Sequence, residues 1–421
     1  MLQTKIRLDR PTALQHLRET PLLTLGRLAF DEKRALYGDR VTYVHNRHVN
    51  PTNLCVYSCK FCDYAAKKND AHAYELTEAD ILRDLQDTHV VEAHIVGGLW
   101  PGWHFRRSLD LVRAIRSARP SLWIKAFTAV EIAYFARMEK TSTRSILEQM
   151  QQAGVDMVPG GGAEILCDRI HQALYKDKIG PADWLRIHEE AHEVGLPSNA
   201  TMLFGHIETD EEIVDHLMKL RDLQDRSGGF QSFIPLAYLP GETRLVPRPV
   251  AAPRSLRIIA LSRLVLDNFP HVKAYWPTIG LETASAALSF GADDLDGTLG
   301  KERIMQMAAS ESPAALTRQF MERIIRDSRY PYGPIRPLWI PRSRRSPMLR
   351  LSTVDNLSGG PYRLRVPDCR HSLLFETPAR IHERVIAHQC DAALLPVASL
   401  PTVSNYFDVI GTYGIACRGP V

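Results

Sequence analysis

Short apolar runs alternate with amphipathic stretches along this chain, and that alternation constrains its fold more than any other feature. Strand-like runs fall at Val90 to Val96, Trp123 to Phe127, Val155 to Val158, Asn199 to Phe204, Ser232 to Leu236 and Val272 to Trp276. Between them, helical periodicity marks His104 to Ala118, Glu131 to Arg137, Arg144 to Ala153, Asp183 to Val194, Asp210 to Asp225 and Ala252 to Asn268. Such an order predicts a mostly parallel sheet, because the helices cover its apolar faces and carry the chain back for the next strand. Val41, Tyr43 and Val44 suggest an earlier strand. Thr77 suits a helix N-cap running to Asp87, since its hydroxyl can accept early backbone N–H groups and Asp80 complements the positive end. Polar or glycine-rich sequences follow several different strand candidates, as they do where the C-terminal rim of a barrel forms one site. The expected fold class is therefore α/β, a TIM-type barrel with parallel strands; an open doubly wound sheet is the alternative.

Of 421 residues, 45% are apolar and 24% charged, the balance of a globular domain with a substantial core. No run approaches the ~20 consecutive apolar residues of a membrane span, and Lys5, Arg7, Asp9, Arg18 and Glu19 interrupt the first thirty positions. Membrane insertion and secretion are disfavoured, and a cytoplasmic protein is expected. The basic excess sits at one end: from Arg336 onward there are 11 arginines, no lysine and 6 acids, while the remainder carries 41 basic and 42 acidic residues. A near-neutral body gives no reason to expect a nucleic-acid groove. Prolines at 331, 334, 337, 341 and 347 lie among arginines, including Arg342, Arg344 and Arg345, and read as a linker. A boundary is expected near Ile335, dividing residues 1–335 from 336–421.

Cys55, Cys59 and Cys62 crowd into eight positions, whereas Cys167, Cys369, Cys390 and Cys417 are scattered. That distribution suits a metal centre in a reducing compartment better than a disulfide framework. Three thiolates on one short loop suit an iron–sulfur cluster or zinc; zinc would need a fourth ligand such as His72 or Asp63. Gly97-Gly98 follows a strand candidate and lets backbone approach a ligand without a Cβ in the way. Pro159-Gly160-Gly161-Gly162-Ala163-Glu164 does the same, with Glu164 able to accept from an amine or ribose hydroxyls; without the GxxxxGK[ST] order it is not a phosphate loop. Asn199 and Thr201 stand at alternate positions of a strand candidate that ends near His206, a residue suited to ordering a carboxylate or moving a proton. Tyr57 and Phe61 flank the cysteines and either screen the loop, stack on adenine, or pack locally.

The CxxxCxxC spacing resembles that of radical S-adenosylmethionine enzymes. The resemblance implies a 4Fe-4S cluster on Cys55, Cys59 and Cys62 whose fourth iron chelates the methionyl amine and carboxylate of S-adenosylmethionine, so that reduction yields methionine and a deoxyadenosyl radical. It also implies methionyl contacts at Gly97 and Gly98. A longer series of blocks is similar to aminofutalosine synthases of the menaquinone route: Tyr43 to His48, His94 to Leu99, Ile124 to Glu131, Pro159 to Glu164, Asn199 to Glu208, Phe230 to Leu236 and Gly291 to Thr298. This implies addition of the adenosyl radical to 3-[(1-carboxyvinyl)oxy]benzoate, then aryl migration and decarboxylation, with a flavodoxin or ferredoxin as low-potential donor. His94, Lys125, Glu131 and His206 become the catalytic candidates, and Tyr57, Phe61, Gly97, Gly98, Glu164, Asn199 and Thr201 the cofactor candidates. Trp100 departs from the family pattern, which usually has histidine there. The related dehypoxanthine futalosine cyclase and deazaflavin-core synthases are enzymatic alternatives, and a zinc-stabilised binding protein is the non-enzymatic one.

The tail carries a second resemblance. Phe375 to Arg380, Cys390 to Ala398 and Ile415 to Val421 look like the beginning of chorismate dehydratase, which implies a partial periplasmic-binding-protein-like C-terminal fragment.

Overall fold

The computed structural model describes residues 7–87 and 89–328 and, further on, only short strands. Two compact units divide the chain, Met1–Trp339 and Ile340–Val421.

The first unit begins with two helices, Arg10–Arg18 and Leu22–Tyr37, parted at Pro21, whose ring cannot continue the first of them. Nine strands follow: β1 Val41–Val44, β2 Asn46–Val49, β3 Glu92–Ile95, β4 Trp123–Ala126, β5 Ser198–Phe204, β6 Phe230–Ala237, β7 His271–Val272, β8 Asp294–Gly297 and β9 Tyr332–Pro334. They make three three-stranded sheets, in the orders β8-β1-β9, β2-β3-β4 and β5-β6-β7, and every pairing is parallel.

The expected closed barrel is not what forms. Among the described residues no sheet curls round to close on itself; the sheets are joined by single parallel bridges at Lys125–Met157, Val158–Ser198 and Lys273–Asp294 and by isolated hydrogen bonds such as His48 N–H to Leu299 O, not by a continuous ladder. The physical reason is local. Val155 to Val158, expected as a strand, runs into Pro159 and three glycines, which offer no continuing ladder. Val272 to Trp276 is likewise cut to two strand residues because Trp276-Pro277 starts a helical turn.

The helices form where their periodicity and caps dictate. Thr77, Thr128 and Thr209 each complete a reciprocal capping box, with Asp80, Glu131 and Glu212 respectively. The helix Phe105–Ala118 buries Phe105, Leu109, Val112 and Ile115, spaced three to four residues apart on the sheet side. Each such side chain contributes about 1.5–3 kcal/mol on burial. The core is continuous through this unit, from Ala13 and Leu17 to Met321 and Ile325. No helix of the described residues is long and apolar enough to cross a membrane.

In the second unit, five strands, β10 Arg350–Val354, β11 Ser372–Glu376, β12 Ala392–Leu394, β13 Asp408–Ile410 and β14 Ile415–Cys417, order as β11-β10-β12-β14-β13, parallel across β11-β10-β12 and antiparallel beyond. The remaining residues of the dehydratase-like segments, and the arginine-rich linker, lie outside the described residues.

Candidate active site

The cysteine loop is held by backbone rather than by its thiols. Cys55 N–H donates to Ala66 O at 3.0 Å, Val56 N–H to Leu99 O at 2.8 Å and Gly98 N–H to Thr52 O at 2.8 Å, so the loop's entry pairs with the turn that follows β3. The Lys67 ammonium donates to the carbonyls of Cys55 and Tyr57, both at 2.9 Å, and Asn53 grips His72 O and Tyr74 N–H. Gly98 must be glycine: a Cβ there would lie 2.1 Å from Leu54 O. On the loop's far side Asp63 accepts from Thr243 N–H at 2.9 Å, fastening it to the segment after β6.

All three thiols line one cavity of about 330 Å3. Burial pushes the Cys59 thiol up to about 12 and raises Cys62 as well, so these sulfurs are protonated unless a metal takes the proton's place. Among the described residues no three His, Cys, Asp or Glu side chains converge as a mononuclear metal site requires. A cluster that gives each thiolate its own iron does not need that convergence, and three half-buried cysteines lining one cavity, with no fourth among its described lining residues, fit it. Of the two candidates for zinc's fourth ligand, His72 does not line the cavity, and Asp63 lines it while accepting from Thr243 N–H.

Beyond the strand ends, backbone forms much of the wall. A Cβ on Gly160 would lie 2.5 Å from Asn199 O, and Thr201 Oγ1 donates to Gly160 O at 2.7 Å, packing the glycine run against β5. Glu164 adopts φ 44°, an uncommon left-handed conformation for a side-chain-bearing residue. Its carboxylate is ion-paired with the Lys178 ammonium, which packs over the Phe61 ring. Burial opposes the Lys178 charge, but Glu164 outweighs it and the ammonium's pKa is raised. Glu131 caps the helix Ala129–Glu139 through Thr128 at 2.7 Å and also accepts Gly97 N–H at 3.3 Å; burial raises its carboxyl to about 7.

One layer deeper, charged residues occupy the strands themselves. His48, His94 and Lys125 stand in one row across β2, β3 and β4. Lys125 pairs with Glu92 at 2.7 Å. Lys273 holds Asp294 at 3.1 Å and Asp296 at 2.9 Å. Asp296, at φ 63°, is another left-handed residue, and Glu302, raised by burial to about 7, completes the cavity's acidic side.

Of the residues singled out from the sequence, Cys55, Cys59, Cys62, Tyr57, Phe61, His94, Gly97, Lys125, Glu131, Glu164, Asn199 and Thr201 line this cavity. Gly98 and His206 do not. Gly98 serves the close approach to Leu54, and the side chain of His206 bonds Leu203 O at 3.0 Å and Ile207 N–H at 2.7 Å beside Glu208. Trp100 lines a separate, smaller cavity. Lys178, Asp296 and Glu302, unforeseen as site residues, also line the main cavity, as does His48, a polar candidate of the Tyr43 to His48 block with no role assigned to it from the sequence. The alternation of β2 and the Asp294–Gly297 stretch held the only sequence signal for two of them.

The profile described as "Radical SAM superfamily" matches residues 49–220, and that of the "CofH/MqnC C-terminal region" matches residues 227–333. With the three-cysteine cavity, these matches define the class as a radical S-adenosylmethionine enzyme. Aminodeoxyfutalosine synthase of Thermus thermophilus is 40% identical over 313 residues, covering 72% of this chain and 84% of that protein. The Streptomyces coelicolor aminodeoxyfutalosine synthase is 38% identical over 337 residues, covering 76% and 87%. FO synthase of Mycobacterium leprae is 38% identical over 299 residues, 69% of this chain but 35% of that longer protein. The chain therefore belongs to the radical S-adenosylmethionine family of aminodeoxyfutalosine and FO synthases. Among solved structures, methylornithine synthase superposes with a TM-score of 0.60 at 16% identity, covering 77% of this chain and 93% of that one, a likeness of fold alone. Both profiles end by residue 333, and these similarities give no support to the chorismate-dehydratase resemblance of the tail.

Proposed function

We propose that the chain is an aminodeoxyfutalosine synthase, joining the adenosyl group of S-adenosylmethionine to 3-[(1-carboxyvinyl)oxy]benzoate with aryl migration and loss of carbon dioxide. The observation that carries this reading is one cavity in which three loop thiols, a glycine wall and a deep row of histidine and lysine meet. The substrate is a dianion with an apolar ring, and the cavity offers both cations and apolar surface: Lys125 and Lys178 with Leu203, Ile234 and Leu236. The activity is assigned to residues 1–335, with 336–421 outside the catalytic unit.

Cys55, Cys59 and Cys62 would hold a 4Fe-4S cluster, and Gly97, Glu164, Asn199 and Thr201 would face S-adenosylmethionine; together these groups supply an adenosyl radical when bound. The chain's own work is positional. Apolar walls exclude water, Glu131 fixes Gly97, and the Glu164–Lys178 pair orders the glycine wall. A flavodoxin or ferredoxin would deliver the electron.

The test is product mass. The anaerobically reconstituted full chain, with reductant, S-adenosylmethionine and the enolpyruvyl benzoate, should yield methionine, carbon dioxide and an adenosine–substrate adduct. Release of 5'-deoxyadenosine in place of the adduct would assign the chain to hydrogen abstraction and refute the proposal.

A further inference from the structure

Two imidazoles deep in the cavity face it with nothing to bond. His48 and His94 are opposite each other in the register of β2 and β3, and their rings meet edge to face with centroids 4.6 Å apart. The Nε2 atom of each is buried and has no hydrogen-bond partner among the described residues. His48 is 9% exposed, and its Nδ1 lies 4.0 Å from a Glu302 oxygen, beyond hydrogen-bond range. A buried polar atom without a partner has given up water for nothing, and such atoms are few in folded chains. Two of them side by side, lining one cavity, mark a place where a ligand supplies what is missing.

The surroundings select the ligand. Burial holds both imidazoles neutral, His48 down to about 4 and His94 well below its ordinary value, so each keeps one N–H to donate. The charges that act on His94 are the cations Lys125 and Lys273, with His48 adding to them when protonated. His48 also feels Asp296 and Glu92, which those lysines already neutralise, and Glu302 lies alongside. Lys125 is matched by Glu92 and Lys273 by Asp294 and Asp296, so the two adjacent N–H donors, not a net positive charge, select the ligand: a group that presents several acceptor lone pairs, as a carboxylate does. The thiols, Gly97 and the glycine wall follow the strand ends, whereas His48 and His94 lie within the strands, so what binds here occupies the deeper part of the same cavity.

We infer that the Nε2–H groups of His48 and His94 together receive the benzoate carboxylate of the substrate, at the end remote from its alkene. The inference rests on the proposed synthase reading, and it assigns His48 as a binding residue and His94 as its partner in recognition.

The test uses His48→Leu and His94→Leu in the reconstituted full chain. Each should raise the KM for 3-[(1-carboxyvinyl)oxy]benzoate about 10- to 100-fold, the loss of one hydrogen bond to a charged group. The affinity for S-adenosylmethionine should stay unchanged. His48→Gln and His94→Gln, whose amide nitrogens reach toward the Nε2 position, should recover most of the loss. The Tm of the substrate-free Leu variants should equal or exceed that of the parent, since an unsatisfied buried nitrogen is removed. With the substrate esterified at the benzoate carboxyl, parent and Leu variants should share one KM. Unchanged KM in both Leu variants, or equal loss on acid and ester, overturns the inference while leaving the synthase reading intact. If the parent chain forms no adduct, that reading falls alone, and calorimetry with 3-hydroxybenzoate decides: binding that the Leu variants weaken sustains the carboxylate site, and binding that they leave unaltered refutes it.

Discussion

Gly98→Ala concentrates its effect on the cysteine loop. The added Cβ would lie 2.1 Å from Leu54 O, 2.7 Å from Leu54 C and 2.9 Å from Asn53 C, all inside ordinary contact near 3.4 Å and the first by more than an ångström. All three are backbone atoms, so no rotamer change relieves the clash; the strand-end turn or the loop entry must move. Overpacking a well-filled site costs about 1–3 kcal/mol, and rigid neighbours place this change at ~3 kcal/mol, or roughly 4 °C in Tm for a unit of this size. Because Leu54 adjoins Cys55, the displacement reaches the first thiol directly. Gly97→Ala is the control, with its Cβ 3.2 Å from Thr52 O and 3.3 Å from Pro51 Cδ, a strain of a few tenths of an ångström. Iron and sulfide per chain after anaerobic reconstitution, together with Tm, should fall sharply for Gly98→Ala and little for Gly97→Ala. A Gly98→Ala protein with full iron content and the parent's Tm would refute the reasoning.

Further outcomes follow from the same geometry. Cys59→Ser should leave the metal-free fold intact by circular dichroism yet abolish the cluster's visible absorption and the adduct; a normal spectrum with full turnover would remove Cys59 from the ligand set. Arg263 is fully buried and bonds Asp293, so Arg263→Met leaves that buried carboxylate with only His271 and Val272 N–H and should cost up to about 3–5 kcal/mol in urea unfolding; an unchanged unfolding free energy would refute the pairing. His188, His192 and His216 are buried and neutral, His192 and His216 down to about 3 and His188 well below its ordinary value. Folded pKa values below the unfolded 6.5 mean that their contribution is full above pH 6.5 and drains away as pH falls toward 3. His188→Phe, packed on Trp184 and Phe230, should flatten the acid limb of the urea-midpoint profile; an unchanged limb would exonerate His188.

Periodicity placed the seven helices read from it to within about three residues, helped at Thr77 by a cap that is legible locally, whereas shorter helices such as Asp168–Leu174 and Leu281–Ala287 carry too few turns to show a period. The cysteine loop was legible from spacing alone. Closure of the sheet was not, since it depends on hydrogen bonds between segments far apart in sequence, and Val155 to Val158 looked as strand-like as β4 although the glycines after it allow only isolated bridges. His48 stood in the Tyr43 to His48 block as a polar residue without a role, because its partner row, His94 and Lys125, is assembled by strand register and leaves no spacing signal. His206 was overvalued for the opposite reason: a histidine at a strand end looks available until its neighbours' backbone claims both nitrogens.

The bond from Asp63 to Thr243 gives the thiol loop a fastening drawn from a stretch 180 positions further along. During synthesis, a nascent chain that has emerged only as far as β5 already possesses every sulfur but lacks this clasp. In such a chain the loop's entry is already paired with Ala66 and Leu99, and only the side at Asp63 waits for the segment beyond β6 to dock.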